Sequence, residues 1–303
     1  MATTVTINAN YAGEHAGNYI GAALRAAKSL DYITVLENVK YKRNLTTVAT
    51  ADMIKDATCN FTDEGTLTLT DSILDPKEFQ INAQICKKDL LEDWQAAQMK
   101  SSAWNRDMSN DFSAFLVSRL SGQMAQFIED NVWNGQAAAN SFQGFSHAAG
   151  TLSATATQIA NAGGAANPYT STNVLTELSN IVANIPSAVY GTEDLYVYVS
   201  NKTYQLYISA AAAAGYMNLS SMNDKFVPMF EGVKLAVCPG MQDDTMVAAR
   251  KSNLFFGTDL LSDTTTLKIL DMADLDGSDN IRLVAKFTAG VQSMIGGDIV
   301  QMD

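Results

Sequence analysis

Apolar residues recur along this chain with two periods, and the switches between them outline its elements. Leu24, Ala27, Leu30 and Ile33 fall at helical spacing and predict a first helix. From Tyr41 to Lys88 the period drops to two. Thr66-Leu67-Thr68-Leu69-Thr70 alternates, and Phe79, Ile81, Ala83 and Ile85 interleave with Gln80, Asn82 and Gln84. These runs predict hairpin strands. The first is mostly Thr and the second turns uncharged amides outward, so the hairpin has little to bury against a core of its own. A hairpin alone is marginal in water, which predicts that this one leans on another chain. The stretch Ile81 to Trp94, INAQICKKDLLEDW, then passes from strand to charged amphipathic helix with no Gly or Pro between.

A long helical pattern follows. Met108, Phe112, Phe115, Leu116, Leu120, Met124, Phe127, Ile128 and Val132 recur at steps of three and four and stop at Asn134-Gly135. At 1.5 Å per residue this helix is about 40 Å long. Its predicted core residues are Phe112, Leu116, Leu120 and Phe127. An Asp at Leu116 or Phe127 is expected to abolish soluble folding, since the charge would be buried unpaired.

From Ser146 to Thr172 the chain is Ala, Gly, Thr, Ser and Asn with almost no charge, a permissive loop or boundary. Thr172 and Asn173 are N-cap candidates for a helix with Val174, Leu175, Leu178, Ile181, Val182 and Ile185 on one side, stopped at Pro186. Leu195 to Val199 is a β-branched and aromatic strand, and Ser200 opens another helix through Tyr204 and Tyr207. Later strands are predicted at Val233–Val237, Thr245–Ala249, Leu267–Leu270 and Ile281–Phe287, with a final one near Val291. Helices and mainly antiparallel strands mix without βαβ regularity, so the fold class is α+β.

With 303 residues, 47% of them hydrophobic, the chain has ample material for a core. No basic start precedes an apolar run and no stretch is long and apolar enough to span a bilayer, so neither a secretory signal nor a membrane partner is expected. Residues 1–20 are small, polar and nearly uncharged, as in an extended arm ordered by what it lies against. Cys59, Cys86 and Cys238 are odd in number and form no CxxC, which fits a reducing compartment. The formal net charge of -12 argues against gripping nucleic acid, which needs clustered Lys and Arg. The one compact basic cluster, Lys40, Lys42 and Arg43, has the character of solvated loop charge.

Reacting groups are scarce. The two histidines, His15 and His147, sit in the low-charge arm and the Ala/Gly loop, where an exposed or interface histidine is the simpler expectation. Cys86 stands beside Lys87 and Lys88, which could lower a thiol pKa, yet a buried structural thiol is the simpler expectation. Asp274 to Asn280 holds three Asp residues around Gly277 but fails the calcium-loop spacing, and Asp-Gly between strands is first a turn. GxGxxG, GxxxxGK[ST] and HExxH motifs are absent. No catalytic residue, cofactor or metal ligand is assigned, and the chain is not expected to be an enzyme. Large uncharged polar surface suits contacts between subunits, whose centres are poor in charge.

The order of segments resembles the major capsid proteins of tailed bacteriophages, the Hong Kong 97-type fold. The likeness rests on Asp75-Pro76-Lys77-Glu78-Phe79-Gln80-Ile81-Asn82 with Lys88-Asp89-Leu90-Leu91-Glu92-Asp93, on the long helix ending Asn134-Gly135, and on Gln143-Gly144-Phe145. Met229 to Val237 followed by Pro239-Gly240-Met241, and Asn253 to Leu260, continue it. The resemblance implies an N-terminal arm and first helix over 1–40 and an extended loop over 41–88. A peripheral domain with its spine helix would cover 89–172, continued by strands in 259–290, and an axial domain 173–258, closed by a strand in 291–303.

The implied function is self-assembly through pentamers and hexamers into an icosahedral shell around double-stranded DNA, held without sequence-specific binding. The implied place is the virion, with assembly in the host cytoplasm. Scaffolding, portal and decoration proteins would be separate partners, since the chain starts almost directly with the arm. Lys55, Phe61, Leu67, Leu69, Phe79 and Ile81 are the expected inter-subunit residues. Some members cross-link subunits through a Lys and an Asn, but nothing marks a partner for Lys55, so no cross-link is carried over. An encapsulin-type nanocompartment shell is the alternative of the same fold. A small-oligomer enzyme using Cys86 or the Asp274–Asn280 loop is a third reading.

Overall fold

The computed structural model describes residues 28–57, 59–60, 65–86, 110–146, 150–161, 169–215, 228–259 and 268–302. Where periodicity predicts a full helix, the described chain opens with a 3-10 turn, Lys28–Tyr32, followed by strand β1, Thr34–Leu36. Leu30 and Ile33 are buried, but Ile33 lies past the turn, and the β-branched run Ile33-Thr34-Val35 favours extended backbone. Leu24, Ala27 and the arm fall outside the described residues.

Strands β2, Arg43–Ala51, and β3, Thr66–Leu74, form the hairpin, with Arg43 opposite Leu74 and Ala51 opposite Thr66. Strand β4, Lys77–Cys86, is not part of it, which corrects the hairpin expected from the two alternating runs. It pairs instead with a distant strand, from Lys77 opposite Ala289 to Cys86 opposite Asn280. Asp75-Pro76 separates β3 from β4, and Pro76, lacking an N–H, interrupts the ladder there. Phe79 and Ile81 give β4 an apolar side that two strands alone could not cover.

Helix α1, Asn110–Asn134, has 25 residues and ends where expected, its C-terminal Gly135 N–H bonding to the Asn131 carbonyl at 3.1 Å. After it come β5, Thr157–Ile159; α2, Val174–Ala183; β6, Leu195–Val199; and α3, Asn201–Ala213. Ser200 caps α3 as anticipated, its hydroxyl accepting the Thr203 N–H at 3.1 Å. Asn173 precedes α2 without capping it and instead accepts the Thr170 N–H at 2.6 Å. The remainder is β7, Met229–Phe230; β8, Val233–Val237; β9, Met246–Arg250; β10, Leu254–Gly257; β11, Lys268–Asp271; the short helix α4, Ala273–Asp276; β12, Asn280–Ser293; and β13, Val300–Met302.

The 14-residue β12 organises a five-stranded sheet. Its first part lies between β4 and β11, and its last four residues pair with β10, which in turn pairs with β1. The strand expected near Val291 is therefore the end of β12. The second sheet has the order β5-β13-β9-β6-β8-β7. Sheet membership cuts across the segments expected from the resemblance. Thr157–Ile159, assigned with the spine helix, joins the six-stranded sheet through β13, and Leu254–Gly257, assigned with the second half, joins the five-stranded one. Both are short strands whose partners are distant in sequence, which local periodicity does not reveal.

The six-stranded sheet separates two cores. Tyr198, Val247 and Ala249 face the first, with Met124, Ile128, Val132 and Trp133 of α1 and Phe287 and Val291 of β12. Val197, Val199, Met246 and Ala248 face the second, under Val174, Leu178 and Ile181 of α2 and Tyr207 and Ala210 of α3. Burial on both faces is why Leu195–Val199 and Met246–Ala249 are continuous apolar runs instead of alternating ones.

Candidate assembly surfaces

Side chains directly opposite in an antiparallel ladder share a face, so the register sorts the hairpin into two faces. One carries the pairs Ala51–Thr66, Ala49–Thr68, Thr47–Thr70 and Leu45–Ser72, ending at Leu74. Leu45 and Leu74 at its root are buried, while the Ala and Thr positions beyond them are small or polar. The opposite face carries Leu67 with Thr50, Leu69 with Val48, Asp71 with Thr46 and Ile73 with Asn44. Val48, Leu67, Leu69 and Ile73 are each more than half exposed. They form an apolar stripe on a projecting two-stranded ribbon, continued toward the tip by Met53 and by Ile54, which is 97% exposed.

The root is fixed by the absence of side chains beneath it. Gly257 of β10 and Gly290 of β12 face each other across the ladder. A Cβ on Gly257 would lie 2.7 Å from Leu74 Cδ2, and one on Gly290 would lie 2.8 Å from Pro76 Cα. The chain leaves the sheet across this bare patch. Gly290→Ala pushes on backbone, so we expect a loss of about 1–3 kcal/mol of stability, seen as a lower unfolding midpoint. Lys42 pairs with Asp75 at 3.1 Å beside the root, but both side chains are about half exposed and the pair adds little.

Of the expected inter-subunit residues, Leu67 and Leu69 lie on the exposed stripe and Lys55 is exposed near the tip. Phe61 falls outside the described residues. Phe79 and Ile81 lie off the hairpin: both are partly buried against the chain's own first core, because β4 belongs to the large sheet, and both line the cleft beside it. Phe79 meets Phe127 edge-on with centroids 5.1 Å apart and stacks on Phe287 at 5.5 Å. These rings and Met124 line a cleft of about 800 Å3, with Lys77 and Lys286 also on its wall. Of the expected helix core, Leu120 is buried and Phe127 partly buried, whereas the side chains of Phe112 and Leu116 are not described. Periodicity missed Trp133 and Phe145, the one flanked by a polar Asn and the other in a loop; both are fully buried.

Among the described residues the candidate chemistry does not assemble into a site. Cys238 is the buried cysteine, and desolvation pushes its thiol well above the usual range, away from thiolate reactivity. Cys86, expected to be buried, is only partly so, since it ends β4 at the margin of the sheet. Among the described residues no three His, Cys, Asp or Glu side chains are placed to hold a metal. Asp274–Asn280 spans the end of α4 and a turn with Gly277 in the left-handed region at φ 74°, where Asp276 accepts the Ser278 N–H. His15 and His147 lie outside the described residues. No described helix is long and apolar enough to cross a membrane.

No protein-family model matches the sequence, and no curated protein does. Solved structures match over nearly the whole chain. The capsid of an empty GTA particle superposes with a TM-score of 0.59 at 13% identity, covering 91% of this chain and 89% of the other. The capsid of Myoviridae phage XM1 gives 0.58 at 12% identity, with 89% of each chain covered. A structure from Mycobacterium phage Che8 gives 0.56 at 13% identity, covering 94% of this chain and 90% of the other. The chain therefore has the α+β Hong Kong 97-type fold of phage capsid structures.

Proposed function

We propose that this chain is a major capsid protein, which assembles with copies of itself into an icosahedral shell. The observation that carries this reading is the hairpin. It buries its root in its own subunit and exposes an apolar stripe along one face, which none of the described residues covers. A patch of this kind on a soluble chain marks a contact with a partner. Stripe and aromatic cleft are different surfaces of one chain, so a contact between them is head-to-tail, the geometry that closes rings. Pentamers and hexamers of one chain are such rings. The fold shared with phage capsids supports the same reading.

The finer assignment is a tailed-phage virion that holds double-stranded DNA and is assembled in the host cytoplasm. Scaffolding and portal proteins would act as separate partners. A formal net charge of -12 suits a wall that releases packaged DNA instead of gripping it. Contents distinguish this from the nanocompartment alternative, whose shell would enclose protein. Deleting Asp52 to Thr70 is expected to leave a folded subunit that sediments as small species, whereas the intact chain gives shells. Normal particles from the deleted chain would refute an inter-subunit hairpin.

A further inference from the structure

Glu129 interrupts the apolar face of α1 one turn before Trp133, and it is only 7% exposed. Among the described residues no Lys or Arg pairs with it. Its carboxylate is held by donors from two distant segments. The Ser29 N–H donates to Oε2 at 3.0 Å, the Ser29 hydroxyl to Oε1 at 2.5 Å, and the Gly240 N–H to Oε1 at 3.2 Å. The indole N–H of Trp133 donates to Ser29 Oγ at 2.7 Å, which commits that hydroxyl proton to the carboxylate. Asn134 donates to the Gly240 carbonyl at 2.6 Å. The approach is close enough that a Cβ on Gly240 would lie 2.1 Å from the Glu129 carbonyl oxygen.

We infer that Glu129 is a clasp that fastens the 28–33 turn and the 238–241 turn to the long helix as one unit, so that the two release together. A buried carboxylate with no cation against it among the described residues is tolerated only while its hydrogen bonds are made. Replacing the Ser29 side chain withdraws the hydroxyl, one of the three donors, while its backbone N–H remains; the charge then recruits water into the junction, which loosens Gly240 as well. The two segments lie 100 and 111 positions from Glu129 in sequence. The first leads into β1 of the five-stranded sheet and the second follows β8 of the six-stranded one. The clasp therefore sets how both sheets sit on α1. A subunit that must adapt to non-identical neighbours has here a discrete joint to open. A second tie, the Tyr198 hydroxyl donating to the Tyr32 carbonyl at 2.6 Å, holds the same turn to β6.

Amide hydrogen exchange read by mass spectrometry on the purified protein tests this, whether or not the protein forms shells. Glu129→Gln keeps the size but sets an amide N–H₂ against the converging donors. It is expected to speed exchange by about tenfold or more in the peptides containing Ser29 and Gly240 together, with Leu195–Val199 unchanged. Ile128→Val, a loss of packing beside it, is expected to leave that pair uncoupled. Acceleration of one segment without the other, unchanged exchange in Glu129→Gln, or the same pattern in Ile128→Val would overturn the clasp. Should Glu129→Gln not fold, Ser29→Ala carries the test, because the Gly240 bond is formally untouched. Faster exchange at Gly240 in Ser29→Ala supports the clasp, and wild-type exchange there refutes it.

Discussion

Leu67→Asp combined with Leu69→Asp is expected to leave a folded subunit that makes no stable shells, whereas Thr68→Asp between them still makes shells. The contrast follows from the register. Leu67 and Leu69 share the exposed face with Val48 and Ile73, and Thr68 points to the other face, opposite Ala49. None of the three contributes to either core, so subunit stability should change by no more than about 0.5 kcal/mol. In an interface the loss is much larger. Each Leu forfeits about 1.5–3 kcal/mol of burial, and each Asp adds a charge that the contact would have to desolvate. The penalty recurs at every subunit contact of the shell. Size-exclusion chromatography and circular dichroism on the three proteins measure both halves of the prediction, and shells from the double variant would remove the stripe from assembly.

Val132→Asp is expected to abolish soluble folding altogether. Val132 is 0% exposed in the first core, on the side of α1 that carries Ile128 and Trp133. A carboxylate there meets no cation among the described residues of that core, where burial already pushes the Cys238 thiol up. Burying an unpaired charge costs several kcal/mol, comparable to the 5–15 kcal/mol that holds a domain folded. Soluble yield and the far-ultraviolet spectrum of the refolded chain are the readout. A cooperative unfolding transition in Val132→Asp like that of the unchanged protein would mean that α1 does not organise the core.

Elements with a strong local period were legible in the sequence. Helix α1, with its stop at Asn134-Gly135, helix α2 and the continuous strands at 195–199 and 233–237 all stand where the apolar spacing places them. The hairpin was half legible. Thr66–Thr70 announces one strand, but its partner Arg43–Ala51 reads RNLTTVATA, with Val48 the only large apolar side chain on the exposed face. Phe79 and Ile81 were placed in the hairpin because alternation shows that a strand has two faces without showing which sheet covers them. The pair Gly257–Gly290 and the carboxylate of Glu129 carry meaning only once residues far apart in sequence come together. The stripe was visible as alternating Leu, but which face it occupies needed the register.

Cryo-electron microscopy of the purified native protein, with nucleic acid content measured on the same fraction, asks whether the hairpin builds a shell. Closed icosahedral shells containing double-stranded DNA are expected, with each hairpin lying across an adjacent subunit. A uniform small oligomer, obtained even when the scaffolding partner is supplied, would contradict that expectation.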